Sequence, residues 1–291
     1  MTEQAHQIAR EPTSPPETGS ASPAASAAPR LRVLAGRSQA GARTVPEEVP
    51  VAFTYNGTTH AVMMASPTDI AAFALGFSLT EGIVRAPQEL LSLEVLHLPD
   101  GIEARMWIAE PKMHHLSARR RALAGPTGCG LCGVESLAEA VKPAARVTAA
   151  TTFPAATVIA AMATLGPLQQ LNHETRAVHA AAYFEPGTGI RALAEDVGRH
   201  NALDKLVGLL AGDGLSSAAG MVLLTSRVSV EMVQKAAVLG AGVLAAISAP
   251  TSLAIRTAEA AGITLCAVVR QDGFEVFTHP GRILMPATES A

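Results

Sequence analysis

Three short apolar segments in the C-terminal third of the chain, separated by two helical patterns, constrain the fold more than any other feature. The segments are Met221–Thr225, Val243–Ile247 and Ile263–Val269. Ser229, a favourable N-cap residue, begins the first intervening helix, and Gly262 ends the second. A β-α-β-α-β succession indicates parallel strands joined by right-handed crossovers. This part of the chain is therefore predicted to form an α/β sheet.

The loops that follow these strands are predicted to lie together at one edge of the sheet. They are Ser226-Arg227, Ala249-Pro250-Thr251 and Arg270–Gly273. Ligands of open α/β sheets bind at the carboxyl ends of the strands. Because the loops offer hydroxyl groups, backbone amides and two arginines, the pattern favours a site for phosphate groups.

The N-terminal half carries the pattern of two β-hairpins. The first joins Val49–Tyr55 to Thr58–Met64 through Asn56-Gly57, a pair typical of a type I′ turn. The second joins Leu91–Leu98 to Ile102–Ile108. We therefore expect a smaller β-rich part before the α/β part.

A helix is predicted between the hairpins. Ser66 is expected to be its N-cap, with Pro67 at the first helical position, and Gly82 is expected to end it. Ile70, Phe73 and Phe77 recur at helical spacing and indicate its buried face.

The chain divides into three predicted regions. Residues 1–44 are rich in Ala, Ser and Pro and nearly lack large apolar side chains before Leu31, which predicts a disordered tail. Residues 45–145 are expected to form the β-rich part and its helices, and residues 146–291 the α/β part with the binding loops.

Composition excludes several classes of protein. The formal net charge of −3 argues against a general nucleic-acid binder, and the three cysteines, an odd number, suit a reducing compartment. No stretch approaches the length of an apolar membrane span, and the N-terminus lacks the apolar core of a secretory signal. We expect a cytoplasmic protein of about one large or two small domains.

Gly128-Cys129-Gly130-Leu131-Cys132-Gly133 is the stretch that indicates chemistry. Glycine lacks a Cβ, so neighbouring residues leave both thiols unshielded. A helical pattern follows directly at 134–141, and Arg119, Arg120 and Arg121 precede the loop. A helix N-terminus and nearby cations both favour thiolate. The stretch therefore favours a reactive, sulfur-carrying cysteine.

Other uses of a C-x-x-C pair remain open at this point. A structural zinc site would need two further ligands, and His114-His115 is the nearby source. A thioredoxin-like redox pair would normally follow a strand, and an incidental pair is also compatible with the pattern. A zinc-dependent deaminase would require H-x-E before P-C-x-x-C; Pro126 lies three residues before Cys129, and no His-x-Glu precedes it.

A second polar stretch, Glu195–Asn201, opens an apolar helical pattern. Arg199 and His200 at the start of that helix could hold an anion, or Asp196 could pair with Arg199. His179 begins an apolar strand pattern, a position more typical of a structural histidine. Cys266 stands in an apolar strand and is predicted to be a buried, unreactive thiol.

Taken in order, these motifs resemble the formate dehydrogenase accessory sulfurtransferase family (FdhD) across residues 45–285. The matching residues are Ala65–Gly82, the loop around Cys129 and Cys132, Glu195–Asn201 with Ala202, Asp204 and Lys205, Ser226-Arg227 with Glu231 and Lys235, and Ala249-Pro250-Thr251. One departure is visible: the family pattern has Thr-Gly before the histidine now at 179, whereas this chain has Thr175-Arg176-Ala177.

The resemblance implies a fold, a function and a set of site residues. The fold would be α/β (α+β): a cytidine-deaminase-like, three-layer arrangement around a mixed sheet, present as a homodimer. The protein would take sulfur from a cysteine desulfurase as a persulfide on Cys129, with Cys132 as its partner. It would pass the sulfur to the molybdenum cofactor, bis-molybdopterin guanine dinucleotide, before the cofactor enters formate dehydrogenase. The cofactor would bind at Val268, Val269, Arg270, Gln271, Asp272 and Gly273, together with Arg227, Pro250 and Thr251. No metal ligand is implied.

Overall fold

The computed structural model describes residues 23–114, 116 and 143–285, which form two larger sheets, two two-stranded sheets and the helices packed on them. The helices are α1 (Ile70–Thr80), α2 (Ala155–Leu168), α3 (Gln170–Thr175), α4 (Arg199–Gly212), α5 (Val230–Leu239) and α6 (Ser252–Ala261), with 3₁₀ turns at Pro87–Glu89 and Pro280–Arg282. The strands are β1 (Ala25–Leu34), β2 (Arg37–Pro46), β3 (Val49–Tyr55), β4 (Thr58–Ala65), β5 (Leu90–Leu98), β6 (Gly101–Ile108), β7 (Phe153–Pro154), β8 (His179–Glu185), β9 (Gly189–Asp196), β10 (Met221–Leu224), β11 (Val243–Ala246), β12 (Thr264–Arg270), β13 (Gly273–Val276) and β14 (Ile283–Leu284).

A mixed six-stranded sheet in the order β13-β12-β11-β10-β8-β9 forms the larger part. The pairs β10–β11 and β11–β12 are parallel, which confirms the β-α-β-α-β prediction. Alternate side chains of each strand point to opposite faces. Val222 and Leu224 pack with α4, α5 and α6, whereas Met221 and Leu223 pack with α2. Helices therefore cover both faces of the sheet, and the predicted three-layer α/β arrangement with a mixed sheet is confirmed.

A second sheet of four strands, in the order β4-β3-β6-β5, contains both predicted hairpins. Asn56 and Gly57 have φ of 47° and 78°, as a type I′ turn requires. Phe53 stacks on Phe77 of α1 with ring centroids 4.5 Å apart and meets Phe73 edge-on at 4.9 Å. These aromatic contacts fix α1 on the sheet, and its end at Gly82, which has φ of 68°, is also as predicted.

The start of α1 differs from the prediction. Asp69, in the left-handed region, stands at the N-cap position, whereas Ser66 lies outside the helix. Ser66 is fully buried; its hydroxyl accepts a hydrogen bond from Val197 N (3.2 Å), and its backbone N–H donates to Asp196 Oδ2 (3.0 Å). Ser66, which the local pattern assigned to the helix cap, therefore forms long-range hydrogen bonds instead.

Helices α1 and α4 join the four-stranded sheet to the six-stranded sheet through two glycines. A Cβ added to Gly76 would overlap the carbonyl oxygen of Asp204, and one added to Gly208 would overlap that of Ala72. Only glycine allows the two backbones to approach so closely. These sheets fall on either side of residue 145, and the exact boundary between the parts remains a prediction.

Residues 25–46 correct the predicted disordered tail, because they form an antiparallel ribbon. Strands β1 and β2 pair along their whole length, from Ala25 opposite Pro46 to Leu34 opposite Arg37. Ala35 and Gly36 form the turn, both with positive φ. The prediction differs from the structure over residues 25–44 because averaging composition over 44 residues hid the alternation of Arg30, Leu31, Arg32 and Val33, which is a strand pattern.

The described helices are short. The longest, α2 and α4, have 14 residues each. Within the part of the chain that the structure describes, none has the length and apolar composition needed to cross a membrane.

Candidate functional site

The carboxyl ends of β10, β11 and β12 meet at one edge of the six-stranded sheet, as predicted. Val228, after β10, forms a bridge with Pro250, after β11, and its carbonyl accepts from Thr251 N at 2.9 Å. Val268 N at the end of β12 donates to Ser248 O at 3.4 Å. These bonds join the three loops into one surface, here called the sheet edge, which comprises Arg227, Pro250, Thr251 and residues 268–273.

The end of β12 has an unusual backbone. Val268 has φ of 55°, which is rare for a β-branched residue, and the register with β13 shifts between Ala267 and Arg270. Such bulges redirect side chains and are frequent beside functional sites. The side chain of Val269 belongs to the core, whereas residues 270–272 are exposed. Of the predicted binding segment, Arg270, Gln271 and Asp272 thus present side chains to solvent.

Two predicted binding residues already have structural partners. Arg270 Nη1 donates to the carbonyls of Ile247 and Val269, which ties the loop after β12 to the loop after β11. The Thr251 hydroxyl accepts from Ala254 N (3.2 Å) and caps α6. Arg227, in contrast, is exposed, and its guanidinium forms no hydrogen bond or ion pair with a residue that the structure describes.

Four basic side chains from three segments of the chain lie near one another, and they are called the basic cluster: His179, Arg199, His200 and Arg227. His179 pairs with Asp196 at the start of β8, and the next residue, Ala180, exchanges hydrogen bonds with Thr225 just before the Ser226-Arg227 loop. Arg199 and His200 form the first turn of α4. The first turn of a helix adds a partial positive charge, so the cluster is suited to an anion.

Two nitrogen atoms of the basic cluster are buried without a hydrogen bond to the described part of the chain. Arg199 Nε and His200 Nε2 have no hydrogen bond to any described residue, although both atoms are shielded from solvent. Buried polar atoms in native proteins are normally paired, so these two nitrogen atoms are suited to an anionic ligand. The sequence indicated that Arg199 and His200 could hold an anion, but neither residue belongs to the predicted cofactor site.

Burial and the neighbouring charges of the basic cluster lower the pKa of His179. Its pKa lies below the ordinary value, first because the side chain is half-buried and then because Arg199 and Arg227 lie near; Asp196 opposes the shift. The sequence suggested a structural role for this histidine. Its position among cations instead makes it a neutral imidazole that an arriving anion would help to protonate.

One carboxylate borders the basic cluster. Glu231 Oε2 in the first turn of α5 lies 3.9 Å from His200 Nε2. His200, and to a smaller extent Ser229, lower the pKa of Glu231 to about 2 despite its partial burial. Glu231 is therefore ionised at neutral pH and places one negative charge beside His200. Neither Arg199 nor Arg227 forms an ion pair with a described residue.

Asp196 does not pair with Arg199, contrary to one of the alternatives above. Its carboxylate lies 2.7 Å from Lys205 Nζ, and neither side chain is exposed. Asp196 also accepts from Gly198 N (2.7 Å) and Asn201 Nδ2 (2.9 Å). Asp196 pairs with Lys205 rather than with Arg199 because the buried charge of Lys205 needs an opposite charge close by. Asp196 is therefore a structural support for the first turn of α4.

A second buried ion pair lies farther along α4. Asp204 receives hydrogen bonds from Lys235 Nζ at 2.7 and 2.8 Å and from the Thr80 hydroxyl at 2.7 Å. It links α4 to α5 and α1. Much of the polar pattern that resembled the family therefore holds the two sheets together, and the basic cluster stands on this framework.

The predicted reactive residues Cys129 and Cys132 lie outside the described residues, as do Arg119, Arg120 and Arg121. Cys266 is described, and its predicted burial is confirmed. It is fully buried in β12, and burial raises the pKa of its thiol to about 12. It is therefore a protonated, unreactive thiol at neutral pH.

The structure also bears on metal binding and on the departure from the family pattern at residue 176. Within residues 23–114, 116 and 143–285, no three His, Cys, Asp or Glu side chains are grouped so that they could hold a metal ion. Arg176 is exposed and caps α3 with φ of 57°. This left-handed position explains why a glycine would suit it.

Comparisons with known proteins show what this chain is similar to. The model of the FdhD/NarQ family matches residues 46–284. A sulfur carrier protein FdhD from Agrobacterium fabrum is 51% identical over 88% of this chain and 95% of its own length. The corresponding protein from Brucella abortus is 54% identical over 84% of this chain and 92% of its own. A crystal structure described as a formate dehydrogenase accessory protein, from Desulfotalea psychrophila, superposes with a TM-score of 0.70 at 24% identity, covering 90% of this chain and 100% of its own. The last comparison concerns the fold alone.

Proposed function

This chain belongs to the FdhD/NarQ family, and from that premise we propose that it is a sulfur carrier protein for the molybdenum cofactor. It accepts sulfur from a cysteine desulfurase as a persulfide on Cys129. It then transfers the sulfur to bis-molybdopterin guanine dinucleotide, the substrate that afterwards enters formate dehydrogenase. Cys132 completes the transfer.

The observation that carries this proposal is the identity of 51% over 88% of the chain with a protein named a sulfur carrier. At such identity, and with nearly the whole length of both chains aligned, fold and site are expected to be shared. The structure adds two supports that do not depend on any name: the state of Cys266 and the basic cluster.

Cys266 leaves the sulfur chemistry to the other two cysteines. Sulfur transfer between proteins requires a thiolate that can reach a partner's persulfide. Cys266 is fully buried, and the pKa of its thiol is about 12, so it meets neither condition. Cys129 and Cys132 are the remaining thiols in the chain.

The proposed transfer consists of two displacement reactions at sulfur, followed by reduction of a disulfide. The Cys129 thiolate attacks the outer sulfur of the donor's persulfide; the donor's sulfur–sulfur bond breaks, and the donor leaves as a thiolate. Later, the Cys132 thiolate attacks the inner sulfur of Cys129. A Cys129–Cys132 disulfide forms, and the outer sulfur departs as sulfide with the electron pair of the broken bond. A cellular dithiol then reduces the disulfide.

The sheet edge and the basic cluster supply a place for the nucleotide groups of the acceptor. These groups carry phosphates, and guanidinium groups bind phosphate through paired, charge-assisted hydrogen bonds. Arg227 belongs to both surfaces and is exposed without a partner among the described residues. Arg199 offers a buried, unpaired Nε. The proposed phosphate position therefore lies between the sheet edge and the first turn of α4.

Mass spectrometry tests the proposal directly. The purified chain is incubated with a cysteine desulfurase and cysteine, and we expect the mass of one sulfur atom on the peptide that contains Cys129, removable by a reducing agent. C266A serves as the matched control and should still acquire the sulfur. An adduct on Cys266 alone, or an undiminished adduct in C129A, contradicts the proposal.

A complementation experiment in cells distinguishes the role of Cys132 from that of Cys266. In a strain that lacks its own carrier, C132A should fail to restore formate dehydrogenase activity at normal protein abundance, because sulfide release requires the second thiol. C266A should restore it while losing at most roughly 1–2 kcal/mol of stability. An inactive C266A beside an active C132A would overturn the two-cysteine mechanism.

A further inference from the structure

The ribbon formed by β1 and β2 has a face that carries all of its charge. Directly opposed residues of an antiparallel pair share a face, and neighbours along a strand alternate. By the observed register, Arg30 and Arg32 share one face with Arg37 and Arg43 of the other strand. All four arginines are exposed, and residues 23–46 contain no acidic residue. This is called the arginine face.

The opposite face of the ribbon carries no charge. Pro29 lies opposite Ala42, Leu31 opposite Ala40, and Val33 opposite Ser38. Leu31 and Val33 are 65% and 66% exposed. This is called the apolar face, and its two branched side chains have no cover among the described residues.

The ribbon touches the rest of the described molecule only near its base. Arg43 Nη2 donates to Thr175 O (3.1 Å) at the end of α3. Glu47 N donates to Ala24 O (2.9 Å) and closes the base of the ribbon itself. Residues 29–43 are exposed throughout. An isolated two-stranded hairpin is at best marginally stable in water, so a ribbon with an uncovered apolar face is suited to packing on another molecule.

Area argues against a second copy as the occupant. Ten residues at about 3.4 Å each and two strands about 4.8 Å apart give a face of roughly 300 Å². Two such faces would bury about 600–700 Å², whereas a specific, stable interface needs roughly 1,200–2,000 Å². A dimer held by this face alone would be too weak, and it would leave the arginine face unused.

We propose that the ribbon is a docking arm that enters a groove of a protein partner, with carboxylates on one wall of the groove and apolar side chains on the other. The proposal rests on the proposed function, which requires encounters with a cysteine desulfurase and with formate dehydrogenase. Charge complementarity selects an acidic partner: the ribbon carries four arginines, although the chain has a net charge of −3. The ribbon lies ahead of residues 46–284, which the family model matches.

One charged face and one apolar face together favour a protein partner over a nucleic acid or a membrane. A nucleic acid would use the arginine face but would leave Leu31 and Val33 in water. A membrane would need more apolar surface than two branched side chains supply. A groove in an acidic protein can enclose the ribbon and contact both faces, and opposite charges raise the association rate without requiring a long-lived complex. Fast, reversible association suits a carrier that meets its partners once for each sulfur.

Three variants of the full chain test the proposal. The ribbon-charge variant is R30E/R32E/R37E, and the ribbon-apolar variant is L31S/V33S. The matched control is R85E/R146E/R256E, which makes the same change of charge at exposed arginines of the body. Association with a purified cysteine desulfurase and with formate dehydrogenase is measured by biolayer interferometry at 50 and 300 mM salt. Uptake of sulfur from inorganic polysulfide is measured in parallel, because it needs no docking.

We expect the ribbon-charge variant to associate with at least one of the two enzymes about tenfold more slowly at 50 mM salt, with a smaller difference at 300 mM. The ribbon-apolar variant should dissociate faster, the control should behave as the native chain does, and polysulfide should load all forms equally. Failure of the native chain to take up sulfur from any source would refute the proposed function instead.

Several outcomes would overturn the docking arm. They are native-like association of the ribbon-charge variant with both enzymes, equal slowing in the matched control, and no binding of either enzyme by the native chain. Conversion of a dimer to a monomer by L31S/V33S, seen by sedimentation, would assign the ribbon to a second copy. Ribbon-dependent binding of a DNA oligonucleotide or of phosphatidylserine vesicles, with enzyme binding unchanged, would assign it to those polyanions.

Discussion

Lys205 Nζ lies 2.7 Å from Asp196 Oδ2, and both side chains are fully buried. Lys205 also donates to the Ser66 carbonyl (2.9 Å), so the pair joins α4 and β9 to the segment before α1. Burial lowers the pKa of Lys205, and Asp196 opposes that shift. Removing either partner leaves a buried charge without compensation, which costs far more than the net value of the pair.

The first prediction follows from this pair. K205M and D196N should each lower the free energy of unfolding by about 3–5 kcal/mol, and the double variant should lose clearly less than their sum. Urea unfolding measures the three values. R191A, which breaks the partly exposed Arg191–Glu185 pair at 3.0 Å, is the matched control and should cost only about 0–1 kcal/mol. Additive losses at positions 196 and 205 would contradict the coupling.

The second prediction concerns the crossing of α1 and α4. G76A and G208A should each destabilise the protein by roughly 1–3 kcal/mol or more, because the added methyl group overlaps a backbone carbonyl of the other helix. Thermal unfolding provides the measurement. G212A, at the end of α4, is the matched control: nothing lies within 4 Å of its added Cβ, so its stability should be nearly unchanged. Tolerance of G76A and G208A equal to that of G212A would mean that the helices pack less closely.

The third prediction places the nucleotide. Guanosine diphosphate should bind the isolated chain, and R227A or R199A should weaken binding about 10- to 100-fold, which corresponds to the loss of one charge-assisted hydrogen bond. R256A, on the exposed side of α6, is the control. Hydrogen exchange should show protection at Arg227, at Pro250 and at residues 268–273. Protection confined to residues 100–140 would refute this location.

The fourth prediction is a pH dependence from His179. Because its pKa in the folded state lies below the ordinary value of about 6.5, the unfolded chain binds more protons just below that pH. Stability should therefore fall as pH falls from about 6.5 towards the lowered pKa. H179N should lose less stability than the native chain between pH 7.5 and 5.5, whereas H114N, at an exposed position, should behave like the native chain.

The same histidine reports on the ligand. An anion bound between Arg199 and Arg227 neutralises the charges that disfavour protonation, so guanosine diphosphate should raise the pKa of His179. A two-dimensional NMR titration with and without the nucleotide measures this change. An unchanged titration under saturating nucleotide would place the phosphates elsewhere.

The sequence by itself determined the local elements and their order. Apolar segments of five to seven residues between helical patterns predicted β10, β11 and β12, and their parallel pairing followed from the connections. Asn56-Gly57 determined the first hairpin because few other pairs adopt two positive φ values. Cys266 could be placed in the core because its neighbours are apolar. These features succeed because periodicity and turn chemistry act over a few residues.

Only the tertiary structure decided what the polar residues do. Ser66 and Asp196 are 130 positions apart, and no local pattern indicates that they bond to each other rather than to a helix end or to Arg199. The basic cluster likewise draws on β8, α4 and the loop after β10. The two faces of the ribbon emerge only once the register places Arg37 and Arg43 beside Arg30 and Arg32. Polar partners are selected by burial and distance, which the chain acquires only when its separate elements pack.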